Sequence, residues 1–141
     1  MKIRTVLLSA ALAVLGALSA VVPASAADGI STYYLTFRTG NLPNADTEDA
    51  VRVTMFGTEG QSAPMQFDRD FRTGETWTSG PHRHPSFGTI GYISLGKGGR
   101  ESDAWYSEYV SIHEESTGRV YHCAVNEWFP KDSLTRFYAC V

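Results

Sequence analysis

Five carboxylates stand out by their spacing. Asp46, Glu48 and Asp49 crowd one polar stretch, and Glu101 and Asp103 crowd a second. Calcium is a hard cation that takes several oxygen ligands, carboxylates helped by backbone carbonyls, so both stretches are candidate calcium loops if the fold brings them together. Lys97 and Arg100 would oppose a metal beside the second stretch. The competing reading is two solvated acidic turns that keep the protein soluble. His82 and His84 place two imidazoles on one side of an extended chain, and a zinc site would need His113 or His122 to converge on them. The bland alternative is four surface or half-buried histidines. Serine, aspartate and histidine are all present, but no Gly-x-Ser-x-Gly elbow occurs, so a hydrolase triad has no support from the sequence.

A short chain must carry these groups. It opens with Lys2 and Arg4, an apolar run from Val6 to Val22, and Ala24-Ser25-Ala26, the pattern of a secretory signal peptide cleaved after Ala26. The run is short for a membrane helix, interrupted by Gly16 and ended by Pro23. Residues 27–141 are therefore expected as a freely released extracellular protein with no transmembrane segment. They number 115 of the 141, enough for one core and too few for two domains. Setting Lys2 and Arg4 aside leaves 10 of the 12 basic residues against all 15 acidic ones, a formal charge of −5 with neutral histidines. That argues against nucleic acid as a partner. It also argues against plain electrostatic adsorption to anionic membranes, unless a bound cation reverses the local sign. Cys123 and Cys140 both fall in the exported part, where the compartment is oxidising and a disulfide is expected.

Alternation of apolar and polar residues gives the elements. Thr32 to Thr39 reads as a strand with Tyr33, Leu35 and Phe37 on one face, and Ala50 to Phe56 as a second with Val51, Val53 and Met55 inward. Ser62 to Phe67, weakened by Pro64, suits an edge. Thr76 to Thr78 is strand-like around Trp77, and Gly80 to Pro85 reads as a loop because it holds two prolines and a glycine. Gly88 to Leu95 alternates with a change of phase that predicts a bulge near Gly91. Gly96 to Asp103 reads as a polar loop, Trp105 to His113 and Arg119 to Val125 as strands, Asn126 to Pro130 as a terminator, and Ser133 to Val141 as a last strand. No stretch beyond the leader has a sustained helical period. Seven or eight short strands between Gly, Pro and Asn-rich turns indicate an all-β antiparallel sandwich or barrel, with Cys123–Cys140 tying the final strand to its predecessor.

Three pieces of the chain then line up. They are the Thr39-Gly40 strand end before Ala45 to Gly57; the Phe71, Gly74 and Phe87-Gly88 markers; and Trp105-Tyr106-Ser107-Glu108-Tyr109-Val110 followed by Tyr121 and Asn126-Glu127-Trp128-Phe129. Their order and spacing resemble a PLAT domain, the polycystin, lipoxygenase and alpha-toxin module also called the lipoxygenase homology domain, over about Tyr33 to Phe129. The resemblance implies a β-sandwich of two four-stranded antiparallel sheets that docks its owner onto membranes, lipid substrates or partner proteins. It implies a targeting module, with no catalytic residues of its own. Some members bind calcium in loops at one end and carry exposed apolar side chains there. Calcium-binding members often read Ala-Gly-Thr-Asp where this chain has Ala45-Asp46-Thr47-Glu48, and a His-Asp-Asn type sequence where it has Lys97-Gly98-Gly99. Trp77, Trp105 and Trp128 could form a sugar-binding platform if their faces are exposed, but this pattern instead makes Trp105 and Trp128 packing anchors at strand ends. Leu42 and Phe87, in or beside loops, are the candidates for an apolar tip touching lipid or a partner.

The expectation is a secreted, non-catalytic binding module that contacts lipid or a protein through its end loops, with Asp46, Glu48, Asp49, Glu101 and Asp103 as candidate calcium ligands. Two alternatives stay open. One is a small extracellular hydrolase using His82, His84 or the acidic loops, and the other is a purely protein-binding factor of the cell envelope.

Overall fold

The computed structural model describes residues 29–98, 103–130 and 134–141. The apolar leader with its cleavage site, Arg100 and Glu101 lie outside them. Period-two alternation governs what is described. In β1 (Ile30–Thr39) Tyr33, Leu35 and Phe37 are buried while Tyr34, Thr36 and Arg38 are partly exposed, and β2 (Ala50–Gly57) buries Val51, Val53 and Met55. The remaining strands are β3 (Gly60–Gln61), β4 (Met65–Phe67), β5 (Thr76–Pro85), β6 (Ile90–Gly98), β7 (Trp105–Glu114), β8 (Arg119–Phe129) and β9 (Leu134–Ala139). Among the described residues there is no helix, hence none that is long and apolar enough to cross a membrane.

All strand pairs are antiparallel. One layer has the order β5-β1-β7-β8 and the other β3-β2-β6-β9, with β4 also on β2. Because β3 and β4 share the outer side of β2, each layer is four strands wide and the expected sandwich is obtained. The inward rows of both layers meet in one core. Trp105 lies at the end of it, between the rings of Phe71 and Phe129 at 5.4 and 5.5 Å, and its indole N–H donates to Thr39 Oγ1 at 3.1 Å. Burying an aromatic or aliphatic side chain of this size stabilises by about 1.5–3 kcal/mol, so the row fixes which face of each strand turns inward.

The bulge near Gly91 is present: Phe56 pairs with Tyr92 but Gly57 with Ile90, leaving Gly91 as the extra residue. Three other boundaries differ from the sequence reading. Residues 80–85 belong to β5, because Gly80-Pro81 is looped out where the register jumps from Leu35↔Ser79 to Tyr33↔His82. β5 bonds only to β1, so a proline on this edge strand sacrifices no ladder bond on its free side. Second, β8 does not stop at Asn126. That residue takes φ +50° and the pairing resumes as Ser107↔Glu127 and Trp105↔Phe129. Third, β6 runs to Gly98, with Lys97 paired between Val51 and Leu134, so Lys97 is a strand residue pointing the same way as Ile93 and Leu95.

Cys123 and Cys140 are bonded, 17 positions apart. β8 and β9 are successive in sequence but border different layers, so the bond closes one edge of the sandwich across both. Backbone bonds between His122 and Val141, at 2.8 and 3.0 Å, flank it.

Candidate functional site at one end of the sandwich

Strand directions sort the connections into two ends. The connections 40–49 and 68–75, with Asp103 and Ala104 leading into β7, lie at one end beside the outlet of β8; 58–59, 86–89 and 115–118 lie at the other. The first end holds Asp46, Glu48, Asp49 and, of the second acidic stretch, Asp103.

Backbone bonds hold that end firmly. Thr47 and Phe71 exchange N–H···O bonds at 3.0 and 2.8 Å, Gly74 N–H donates to Gly40 carbonyl at 3.0 Å, and Tyr106 N–H to Ala45 carbonyl at 3.1 Å. Gly40 lies flat on the Tyr106 ring, where a Cβ would come within 2.3 Å of a ring carbon. Arg69 stacks over Trp77 at 4.4 Å and pairs with Glu75 at 2.8 Å. Trp77 thus packs beneath a guanidinium and beside Phe37 and Phe71, which removes the sugar-platform reading for it.

The candidate calcium ligands divide. Asp46 accepts from Thr73 Oγ1 at 3.2 Å, and the Glu48 backbone N–H donates to Asp103 Oδ2 at 3.2 Å while its side chain borders an open cleft. Asp49 and Asp103 do come together, around the Lys97 ammonium: Lys97 Nζ donates to Asp49 Oδ2 and lies 3.4 Å from Asp103 Oδ1. Asp103 Oδ1 also accepts from Thr47 Oγ1 at 2.6 Å, and that hydroxyl oxygen accepts from Asp49 N–H at 3.1 Å. Lys97 is only 1% exposed and the Asp49 side chain is fully buried. Glu101 lies outside the described residues. Among the described residues no three His, Cys, Asp or Glu side chains are grouped to hold a metal.

The apolar candidates part company. Leu42, at the tip of 40–49, is 40% exposed. Phe87 is corrected: it lies at the opposite end, is 5% exposed, stacks on Tyr33 at 5.5 Å, and its backbone N–H donates to Tyr33 Oη at 3.3 Å. It is drawn inward because Gly57 leaves its backbone room to close on β2, a Cβ there coming within 2.1 Å of the Phe87 carbonyl oxygen. Trp128 is corrected in the other direction. Only Trp105 is a core anchor; Trp128 is 41% exposed on the outer face of β8, edge-on to Tyr106 at 5.3 Å. The strip Gly40, Tyr106, Trp128 therefore joins the Leu42 loop to an exposed indole. A separate aromatic trio, Phe56, Tyr92 and Phe137, lies on the outer face of the second layer, with Phe56 stacked on Tyr92 at 4.6 Å.

Each histidine sits against an aromatic ring: His82 on Phe67, His84 on Tyr33 and Phe87, His113 on Tyr34, His122 on Tyr109. His82 Nε2 shares a hydrogen bond with Ser79 Oγ at 2.9 Å, but Ser79, on the edge strand β5, is itself buried. The polar cleft at the loop end is lined instead by Glu48, Arg52, Gln66, Asp68, Arg69 and Asp70. Burial, and then the neighbouring His84, hold the His82 imidazole below its ordinary value of 6.5. The folded protein thus keeps a neutral ring where the unfolded chain takes up a proton. The stability this gives is intact above the ordinary value and is lost as pH falls through the depressed one. Melting temperature should drop between about pH 7 and pH 5, and His82→Asn should flatten that part of the profile. An unchanged slope in the variant would assign the loss to carboxylates. The one strongly shifted phenol, Tyr138, is pushed up to about 12 by burial and by its bond to Glu127 at 2.8 Å, and it braces β9 against β8.

An antiparallel sandwich with braced loops thus presents Leu42 and Trp128 at the 40–49 end, while Ile30 and Val120 are exposed at the other. Residues 33–137 match the model of the PLAT/LH2 domain, and the chain belongs to that family. It is 30% identical over 105 residues to rat arachidonate 12-lipoxygenase, 12R-type, a match covering 70% of this chain and 15% of that one. Two solved lipoxygenases share the fold. The Delta413-417:GS form with arachidonate superposes with TM-score 0.69 at 21% identity, covering 79% of this chain and 16% of its own. Coral 8R-lipoxygenase, described as calcium-activated through a C2-like domain, gives TM-score 0.62 at 21% identity, covering 77% and 17%. The chain thus spans under a fifth of the length of each.

Proposed function

We propose that residues 27–141 form a secreted, non-catalytic docking module whose 40–49 end enters a lipid interface, with Leu42 and Trp128 as the inserting side chains. The observation that carries this reading is the pairing of an exposed leucine and an exposed tryptophan at the end where the loops are best braced. A rigid apolar tip loses little conformational entropy on contact, and indole suits the headgroup boundary. The acidic balance of the chain favours a zwitterionic over an anionic surface. The lipoxygenase relatives, one solved with arachidonate and one described as calcium-activated through a C2-like domain, support a lipid-facing role.

The test is co-sedimentation with phosphatidylcholine vesicles. Removing each apolar side chain from the interface forfeits roughly 1.5–3 kcal/mol, so Leu42→Asn and Trp128→Ala should each weaken binding about tenfold or more. Phe87→Leu, altered at the far end, should leave binding intact. If the protein ignores vesicles with and without calcium, a second reading takes over, a protein-binding factor of the cell envelope. It is favoured by the Phe56, Tyr92 and Phe137 trio, whose Phe137 is 66% exposed on the flat outer sheet.

A further inference from the structure

Lys97 continues the inward row of Ile93 and Leu95 on β6, where a fourth apolar residue would extend the core. Its stem instead runs out under the loop end and delivers an ammonium to two carboxylates from different connections, Asp49 before β2 and Asp103 before β7. The oxygens a hard cation would use are already engaged. Asp103 Oδ1 faces Lys97 Nζ and Thr47 Oγ1, Asp103 Oδ2 accepts from Glu48 N–H, and Asp49 Oδ2 accepts from Lys97. Calcium needs six to eight oxygens, and a dication brought beside a buried ammonium meets strong repulsion in a medium of low dielectric. The donor set at Asp49 and Asp103 therefore does not fit calcium.

We infer that the Lys97 ammonium is this chain's own cation for the loop end: it offsets part of the charge of Asp49 and Asp103, ties the 40–49 connection to Asp103, and sets the docking loops without a divalent metal. The tie itself stands on geometry alone. Its consequence, docking that does not depend on calcium, rests on the lipid-facing reading above. For that reason the deciding measurements use no lipid.

Residues 27–141 are titrated with calcium chloride by calorimetry, and melting is followed in chelator and in about 1 mM calcium. The expected result is no saturable heat and an unmoved melting temperature. Lys97→Ala removes the ammonium and keeps both carboxylates; it should melt lower in chelator and recover by roughly 5 °C in calcium as the metal takes the vacated charge. Asp49→Asn combined with Lys97→Gln, which removes the ammonium and one of its two carboxylates, should show no calcium response. Saturable binding with a raised melting temperature in the unaltered protein would overturn the inference. So would a Lys97→Ala protein that folds but ignores calcium, or one that calcium cannot refold, since either makes the lysine a structural ion pair only.

Discussion

Replacing Lys97 by Met should cost about 3–5 kcal/mol of folding stability, the usual consequence of removing one partner from a buried ion pair. The side chains are nearly isosteric, so the loss reports charge and not volume. Methionine fills the stem's channel beside Leu95, while the fully buried Asp49 side chain loses the ammonium it faces. A domain of this size is stable by about 5–15 kcal/mol in all, so the variant should sit near its unfolding transition at body temperature. Pairing the change with Asp49→Leu should return much of the loss, because a buried ion pair swapped for well-packed apolar side chains is often neutral or better. Chemical denaturation of the three variants checks this. A loss under about 1 kcal/mol for Lys97→Met alone would mean that water reaches Asp49 and screens it.

What the sequence made legible was the part of the fold written in alternation. Tyr33, Leu35 and Phe37, then Val51, Val53 and Met55, declared their inward faces because a period of two admits one solution when one face is buried. The phase change at Gly91 was legible for the same reason, since a bulge is the one way to keep both Ile90 and Ile93 inside. The site was legible only as composition. Asp49 and Asp103 were picked out only as two of five candidate calcium ligands, and Lys97 was set among loop residues that oppose a metal. Gly96, Gly98 and Gly99 around it imitate a turn, and the ladder partner that keeps it in a strand, Val51, is distant in sequence.

Three other misreadings have causes of other kinds. Trp128 has the opposite parity to Tyr121, Cys123 and Val125, so alternation alone already turns it outward, yet the resemblance assigned it to packing. Phe87 follows Pro85 in a segment that reads as loop, and nothing local says that Tyr33, more than fifty positions earlier, offers it a ring and a hydroxyl. Residues 80–85 were misread because a proline excludes a central strand but not an edge, and edge position is a property of the whole sheet order.

Breaking the Cys123–Cys140 bond should be the second large effect. A loop closed over 17 positions restricts the unfolded chain by about 3 kcal/mol in the chain-entropy model, and the Cys123→Ser, Cys140→Ser double variant or the reduced protein should lose close to that. For a domain of this length such a loss lowers the melting temperature by on the order of 10 °C. The position of the bond adds a directional expectation. β8 and β9 border different layers, and across that seam the ties among the described residues are the His122 and Val141 backbone bonds, the Glu127 contacts to Arg136 and Tyr138, the Arg136 bond to the Trp128 carbonyl, and Phe129 against Tyr138 and Arg136. Once the sulfurs part, the end of β9 should therefore open before the rest of its sheet. Hydrogen exchange at Tyr138 to Val141 should then speed up well beyond that at Val51 to Met55, whose amides lie on the central strands. Equal acceleration at both places would mean that the bond acts only through the unfolded chain, and that the seam holds without it.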